Sequence, residues 1–202
     1  MVEPLFCNIN KKSTLFRHIS EMFGVCTYFI LEQNNLVIID PGKLDNTVFE
    51  WLDEFDNLSK IVYITHEHFD HHYHANKVLN LKKTFLYIPS ESFNQALIDS
   101  KKNLSYYYNQ NVQTISKSIT DISYLKVIKT PGHSRESYCF IYDDVVFGGD
   151  TIIDKKYLVF KLPGGDKLDF NNSVERLKSN VNLSSIVLPG HGDFFCLDNW
   201  II

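Results

Sequence analysis

The stretch Ile64-Thr65-His66-Glu67-His68-Phe69-Asp70-His71 places three histidines and one aspartate within six positions. It follows Ile61-Val62-Tyr63-Ile64, a run too short for a helix and rich in β-branched and aromatic residues, which predicts a buried strand. We therefore expect the imidazole and carboxylate groups in a loop at a strand end, held still by a rigid sheet. Together these groups suit zinc, or another divalent first-row metal such as iron or manganese.

A histidine-rich tract can also be a solvated loop or a purification tag. This one is internal and follows a core strand, and other segments of the chain repeat its pattern. Thr130-Pro131-Gly132-His133 and Leu188-Pro189-Gly190-His191-Gly192 each follow an apolar run, and Asp150 ends Val145-Val146-Phe147-Gly148-Gly149-Asp150. Five of the eight histidines and two aspartates thus occupy four strand-end loops, which predicts a metal site.

These residues resemble the signature of the metallo-β-lactamase superfamily of hydrolases, H-x-H-x-D-H followed by a distant His, an Asp and a final His. The resemblance covers roughly residues 25–193, including Ile39-Asp40-Pro41-Gly42. Leu162-Pro163-Gly164-Gly165-Asp166 is similar to a loop of the glyoxalase II-like branch. The matching positions, in the family's order, are His66, His68, Asp70, His71, His133, Asp150 and His191.

The resemblance implies two metal sites. In the family, one ion is held by the residues that match His66, His68 and His133. The other is held by the residues that match Asp70, His71 and His191, and the residue that matches Asp150 bridges both. The chemistry agrees, because three neutral imidazoles leave an open position on a tetrahedral ion, and a bridging carboxylate draws two ions to about 3.5–4 Å.

The expected activity is metal-dependent hydrolysis of the hydroxyacylglutathione hydrolase type, with a thioester or similar activated ester as substrate by resemblance only. We expect two divalent ions per chain, zinc first, with iron or manganese as alternatives. Coordination lowers the pKa of bound water to roughly 7, so that a bridging hydroxide can attack the carbonyl while an ion supports the oxyanion. Asp70 is the expected catalytic carboxylate, which orients the nucleophile or takes its proton.

Two other functions stay open. One is an iron-dependent, persulfide dioxygenase-like oxidoreductase, because such scaffolds share the ligand set. The other is a non-catalytic metal-binding module, which a missing ligand would have favoured, and none is missing. Cleavage of β-lactams is not expected, because the best-known β-lactamases carry Cys where Asp150 stands. We also expect no glutathione-binding helical domain, since the chain ends eleven residues after His191.

Three residues are candidate substrate contacts. Tyr73 follows the motif, Arg135 could pair with a substrate carboxylate or be an exposed surface charge, and Tyr106 could wall the cleft or belong to a packed surface loop. His72 and His74 are interpreted as residues at the rim of the site rather than extra ligands. His18 is expected to be structural or exposed.

The composition fits one ordinary globular hydrolase domain over residues 1–202, with 44% hydrophobic and 22% charged residues. The net charge of −4 without a basic stripe argues against nucleic acid as a partner. The longest apolar runs are too short to span a membrane, and no signal peptide is visible. The four isolated cysteines then favour reduced thiols in the cytoplasm. We expect a small-molecule substrate and a monomer or homodimer.

Strand-like and helix-like segments alternate, which predicts a mixed α/β domain. The four-layer αββα sandwich of two mixed β-sheets comes from the resemblance and not from periodicity. Polar residues 32–35 and the segment Tyr142-Asp143-Asp144-Val145 predict hairpin turns. Strands are predicted at 25–31, 36–39, 61–64, 84–88, 124–128, 138–142, 145–147 and 186–188. Helices are predicted at 46–55, 75–81, 90–100 and 173–183.

Overall fold

A computed structural model describes residues 1–9, 13–114, 119–120, 123–154 and 158–200 of the chain. The chain divides into two compact units. The first is formed by Met1–Ile64 with His68–Ile122, and the second by Thr65–Glu67 with Ser123–Ile202. The division falls inside the histidine-rich stretch, so that His66 belongs to the second unit and His68 to the first. That residues 1–202 act as one hydrolase domain stays a prediction.

The first unit is built on a seven-stranded sheet whose strands follow chain order. Its first four strands pair antiparallel, and its last four, from β4 onward, pair parallel. The sheet is therefore mixed. Its strands are β1 (Glu3–Ile9), β2 (Ser13–Ile19), β3 (Cys26–Leu31), β4 (Asn35–Ile39), β5 (Ser59–Tyr63), β6 (Thr84–Tyr87) and β7 (Ile119–Thr120).

Among the described residues of the first unit, the α-helices are α1 (Asn46–Asp53), α2 (Ala75–Leu79) and α3 (Glu91–Ile98). The side chain of Asp45 caps α1 by accepting a hydrogen bond from the Val48 N–H, and Ser90 caps α3 in the same way through the Phe93 N–H. The predicted cap at Ser90 is thus confirmed. The apolar face of α1 includes Trp51, whose ring meets that of Phe29 of β3 edge to face at 5.1 Å.

The second unit is built on a five-stranded sheet of order β12-β11-β10-β9-β8. Only β10 and β11 pair parallel, so this sheet is also mixed. Its strands are β8 (Lys126–Lys129), β9 (Tyr138–Tyr142), β10 (Val145–Gly149), β11 (Ile186–Pro189) and β12 (Phe195–Cys196), and its helix is α4 (Lys167–Lys178). Helix α4 buries Phe170, Val174 and Leu177 in the apolar core of this unit.

The predicted mixed α/β domain content is confirmed, and both predicted hairpin turns join antiparallel strands. The last helix is the largest error, because it begins six residues before the predicted Ser173 and ends at Lys178. Asp166 caps it by accepting hydrogen bonds from the N–H groups of Leu168 and Asp169, a start signal stronger than the apolar stripe used for the prediction. Strands β1, β2, β7 and β12 were not predicted.

In the described part of the chain, Cys26, Cys139 and Cys196 form no disulfide, and the reduced state of these thiols stays a prediction. Cys26 and Cys139 are also buried, and burial raises the pKa of the Cys139 thiol to about 12. A thiol this reluctant to ionise is a small apolar core group and not a nucleophile.

Across the residues that the structure describes, no helix combines the length and apolar character needed to cross a lipid bilayer.

Candidate metal centre

Four of the predicted ligands come together in the second unit, around Asp150. The Oδ2 atom of Asp150 lies 3.5 Å from Nε2 of His191 and 3.6 Å from Nε2 of His133. A ring nitrogen of His66 lies within 4.8 Å of ligand atoms of both His133 and Asp150. The His66 and His133 rings are perpendicular, with centroids 4.9 Å apart. Three imidazoles therefore surround one carboxylate.

The ends of parallel strands β10 and β11 place Asp150 and His191 side by side. The Gly190 N–H donates to the Gly149 carbonyl at 2.8 Å, which ties the two strand ends together. Gly149 has a φ of +49°, and a Cβ there would lie 2.6 Å from Oγ1 of Thr65. A side chain at position 149 would clash with Thr65, so this close approach requires glycine just before Asp150.

A closed loop between β8 and β9 holds His133. The Thr130 N–H donates to the Ser137 carbonyl at 2.8 Å, and the Asp166 N–H donates to the Gly132 carbonyl at 2.8 Å. Gly132 has a φ of +141°, and a Cβ there would lie 2.4 Å from Cα of Phe170 in α4. The loop thus packs backbone against backbone, and His133 is held where the strand ends meet.

Glu67 lies between two predicted ligands in the chain, yet its carboxylate faces the loop of His133. The Ser134 hydroxyl donates to Oε2 of Glu67 at 2.6 Å, and its oxygen lies 2.8 Å from the Ser137 hydroxyl. Burial raises the pKa of the Glu67 carboxyl, while the hydrogen bond from Ser134 opposes that shift.

The first unit places Asp70 and His71 in a 3-10 turn, Phe69–His72, directly after His68. The His71 ring is wholly buried, with Nδ1 2.9 Å from Oδ2 of Asp40 and Nε2 3.9 Å from Oδ2 of Asp70. The Asp40 carboxylate accepts a hydrogen bond from Nδ1–H, which leaves Nε2 as the basic nitrogen on the side of Asp70. This carboxylate–histidine pair is typical of metal-binding imidazoles.

Asp40 contacts the predicted ligand His71, and the sequence prediction left it without a role. Its φ of +51° is unusual outside glycine, and the Thr27 hydroxyl fixes its carbonyl oxygen with a 2.7 Å hydrogen bond. The sequence did contain a signal for the contact of Asp40 with His71. In Ile39-Asp40-Pro41-Gly42 an acidic residue directly follows a strand, and Asp150 is placed in the same way. The contact between Glu67 and Ser134 was also not predicted, and no local pattern predicts it.

The geometry around Asp150 fits a metal ion better than direct hydrogen bonds. Zn–N and Zn–O distances of about 2.0–2.1 Å at tetrahedral angles separate two ligand atoms by about 3.4 Å. The distances of 3.5 Å and 3.6 Å from Asp150 to His191 and His133 match that value, whereas an N–H···O bond spans about 2.7–3.2 Å. The donor set of imidazole and carboxylate suits zinc or iron.

The three predicted substrate contacts have different surroundings. Tyr73 is partly buried, with the ammonium of Lys43 6.0 Å from its ring centroid. Tyr106 is 62% exposed and lies under the ammonium of Lys101 at 5.6 Å. Arg135 is exposed. These positions give each group access to solvent, and their role toward a substrate stays a proposal.

The interpretation of His72 as a rim residue is wrong. Its side chain is buried, with Nδ1 2.6 Å from the Thr114 hydroxyl oxygen, so it is a core residue of the first unit. His74 is partly buried, and its Nδ1 accepts a 3.0 Å hydrogen bond from the Leu44 N–H, which gives it a structural role. His18 is buried and contacts the Met1 carbonyl oxygen through Nδ1, in line with the structural expectation.

Comparison with known sequences matches residues 22–191 to a family described as the metallo-beta-lactamase superfamily. A probable polyketide biosynthesis zinc-dependent hydrolase of Bacillus subtilis is 29% identical over 77% of this chain and 66% of its own length, so the chain spans slightly less than two thirds of that relative. A probable metallo-hydrolase of Methanocaldococcus jannaschii is also 29% identical, over 83% of this chain and 87% of its own length.

Solved structures agree on the fold. The crystal structure of BLEG-1 B3 metallo-beta-lactamase superposes with a TM-score of 0.71 at 21% identity, covering 98% of this chain and 95% of that one. The structure of TTHA1623 in a di-iron-bound form has a TM-score of 0.67 at 19% identity, covering 96% and 94%. The predicted fold class, two mixed β-sheets with flanking helices in the metallo-β-lactamase arrangement, is confirmed.

Proposed function

Since the chain belongs to the metallo-β-lactamase superfamily, we propose that it is a dinuclear metal-dependent hydrolase that acts on a thioester or a similar activated ester. The observation that carries this proposal is the position of Asp150 Oδ2, 3.5 Å from His191 Nε2 and 3.6 Å from His133 Nε2. A carboxylate oxygen placed this way between two imidazoles supports a ligand shared by two ions.

The remaining ligands follow from the chain itself. His66 belongs to the cluster around Asp150, and only Glu67 separates it from His68, so the chain keeps their Cα atoms within about 7 Å. Asp70 and His71 follow at once in the 3-10 turn. We propose that His66, His68 and His133 hold one ion, that Asp70, His71 and His191 hold the other, and that Asp150 serves both.

The metal ions, when bound, supply Lewis acidity toward a carbonyl oxygen and a water that is acidic enough to be deprotonated near neutral pH. Asp70 has two roles in the proposal, as a ligand and as the carboxylate that orients the attacking water or accepts its proton. Asp40 fixes His71 in the tautomer whose Nε2 binds. Tyr73, Tyr106 and Arg135 are proposed to contact the substrate from solvent-accessible positions.

Zinc is the first choice of metal, in keeping with the printed name of the Bacillus subtilis relative. The di-iron form of TTHA1623 shows that the same fold holds iron in another protein, and manganese is compatible with the donor set. This observation supports one second candidate, an iron-dependent oxidoreductase of the persulfide dioxygenase type. Its activity would require molecular oxygen, whereas hydrolysis would not.

Elemental analysis of protein purified without added metal, followed by reconstitution, tests the proposal. We expect about two equivalents of metal per chain and hydrolysis of simple thioesters or lactones at equal rates with and without oxygen. A firm value of one equivalent would contradict the dinuclear centre. Oxygen uptake with a persulfide, together with no hydrolysis of the ester panel, would favour the iron oxidoreductase instead.

A further inference from the structure

We infer that Glu67 is a positioning residue whose carboxylate fixes His66 and His133 in the mutual arrangement that one metal ion requires. The inference rests on the proposed function in that it assigns both histidines to one ion. Glu67 itself contacts no reacting group in this scheme. It acts through the two segments that carry the histidines, all within the second unit.

The carboxylate of Glu67 is held by a set of converging donors. The Ser134 hydroxyl donates to Oε2 at 2.6 Å, and the backbone N–H groups of Glu67 and Glu136 also bond the carboxylate. Only 3% of the residue is exposed. A buried carboxylate is stable when several donors satisfy it, and hydrogen bonds to a charged acceptor are about twice as strong as neutral ones. The bonds therefore form a rigid joint between two loops.

The two residues joined by this hydrogen bond each directly follow a proposed metal-binding histidine. Glu67 follows His66 directly, and Ser134 follows His133 directly. A second link runs parallel to the first, because the Tyr138 N–H donates to the Thr65 carbonyl at 2.7 Å. With one bond on each side of His66, its backbone is tied to the segment that carries His133, and the two rings lie perpendicular with centroids 4.9 Å apart. Preorganised ligands cost less to order when an ion binds.

Burying a charged group costs free energy unless hydrogen bonds or ion pairs compensate for the lost water. The Glu67 carboxylate faces the loop of His133, where the Ser134 hydroxyl donates to it. Ser137 completes the joint, with its hydroxyl 2.8 Å from that of Ser134. The Glu67 carboxylate links the two segments that must be aligned for His66 and His133 to bind one ion.

Zinc affinity of the metal-free protein, measured by competition with a chromophoric chelator and without substrate, tests the inference. The variants are Glu67→Ala, Glu67→Gln and Ser134→Ala. Ser123→Ala is the matched control, because its hydroxyl also donates a 2.6 Å hydrogen bond, to the Leu125 carbonyl in the same unit. Thermal unfolding of each metal-free variant separates loss of folding from loss of positioning.

We expect Glu67→Ala and Ser134→Ala to lower affinity for one of the two zinc ions about ten- to a hundredfold, as loss of partners behind metal ligands does. Glu67→Gln, which keeps the shape and one acceptor oxygen, should recover part of that loss, and Ser123→Ala should bind like the wild type. Unchanged affinity in Glu67→Ala and Ser134→Ala, or an equal loss in Ser123→Ala, overturns the inference. Wild type that binds zinc but hydrolyses nothing contradicts the proposed function and leaves the positioning role standing.

Discussion

The Nδ1 atom of His71 lies 2.9 Å from Oδ2 of Asp40, and both side chains are buried. The two residues are 31 positions apart in the chain, at the end of β4 and in the 3-10 turn after β5. Because a carboxylate at this distance accepts a hydrogen bond from Nδ1–H, it keeps the proton on Nδ1, leaves Nε2 as the basic nitrogen of His71 and strengthens the binding of an ion there.

Asp40→Asn should therefore weaken binding of the ion that Asp70, His71 and His191 are proposed to hold, about ten- to a hundredfold. The amide keeps the size of the side chain, and Asn tolerates the positive φ of this position, so the fold should survive. Asp143→Asn is a matched control, because Asp143 also has a positive φ, of +50°, in an exposed hairpin turn. Chelator competition measures the affinity, and equal values for both variants would show that Asp40 has no role in binding.

Asp150→Ala removes the ligand proposed to serve both ions. We expect the rate of ester hydrolysis to fall at least about a hundredfold, on the scale of losing a strong electrostatic contribution to the transition state. Bound metal should fall below two equivalents in elemental analysis. Asp144→Ala, an exposed acid in the hairpin turn at the opposite end of β10, should keep wild-type values. Full activity in Asp150→Ala would mean that the centre is misplaced.

Gly132→Ala should destabilise the fold by about 2–3 kcal/mol, because the added Cβ would clash with the backbone of Phe170 and would strain the loop or displace α4. Gly24→Ala is the matched comparison. Gly24 also has a positive φ, of +69°, but a Cβ there has nothing within 4 Å. The only expected cost of Gly24→Ala is therefore that of a non-glycine residue at positive φ, about 1 kcal/mol. Urea unfolding measures both, and equal losses would show that contact with α4 adds nothing.

His74 gives a pH dependence whose sign follows from its pKa. Burial, and then the charge of Lys77, lower that pKa from its ordinary 6.5. Below pH 6.5 the unfolded chain then binds more protons than the folded one, so this contribution to stability is complete above pH 6.5 and is lost as pH falls through the folded pKa. Protonation also removes the acceptor for the Leu44 N–H.

His74→Asn should remove this dependence, because the amide oxygen accepts the same hydrogen bond without titrating. The difference in unfolding free energy between wild type and variant, measured by urea unfolding from pH 5 to pH 8, should favour the wild type less as pH falls. A difference that is constant with pH, or that changes in the opposite direction, would contradict the lowered pKa.

Much of the secondary structure could be predicted from short segments of the sequence. The runs of β3 and β4 are apolar and β-branched, and the polar residues between them form the hairpin, because strand pairing over so short a connection depends on neighbouring residues alone. Strands of two residues, such as Phe195–Cys196, carry too little pattern to detect. The predicted start of α4 rested on the apolar stripe alone, whereas the helix begins at Lys167, directly after the capping Asp166.

The sequence by itself determined the identity and order of seven ligand-type side chains, in loops that follow strands, and the family whose signature they match. These features are local, because strand periodicity and turn residues act within a few positions. Only the tertiary structure decided how the ligands are aligned. The bonds from Asp40 to His71 and from Ser134 to Glu67 join residues 31 and 67 positions apart. Such contacts follow from the way strands bring distant loops together, which no short segment encodes.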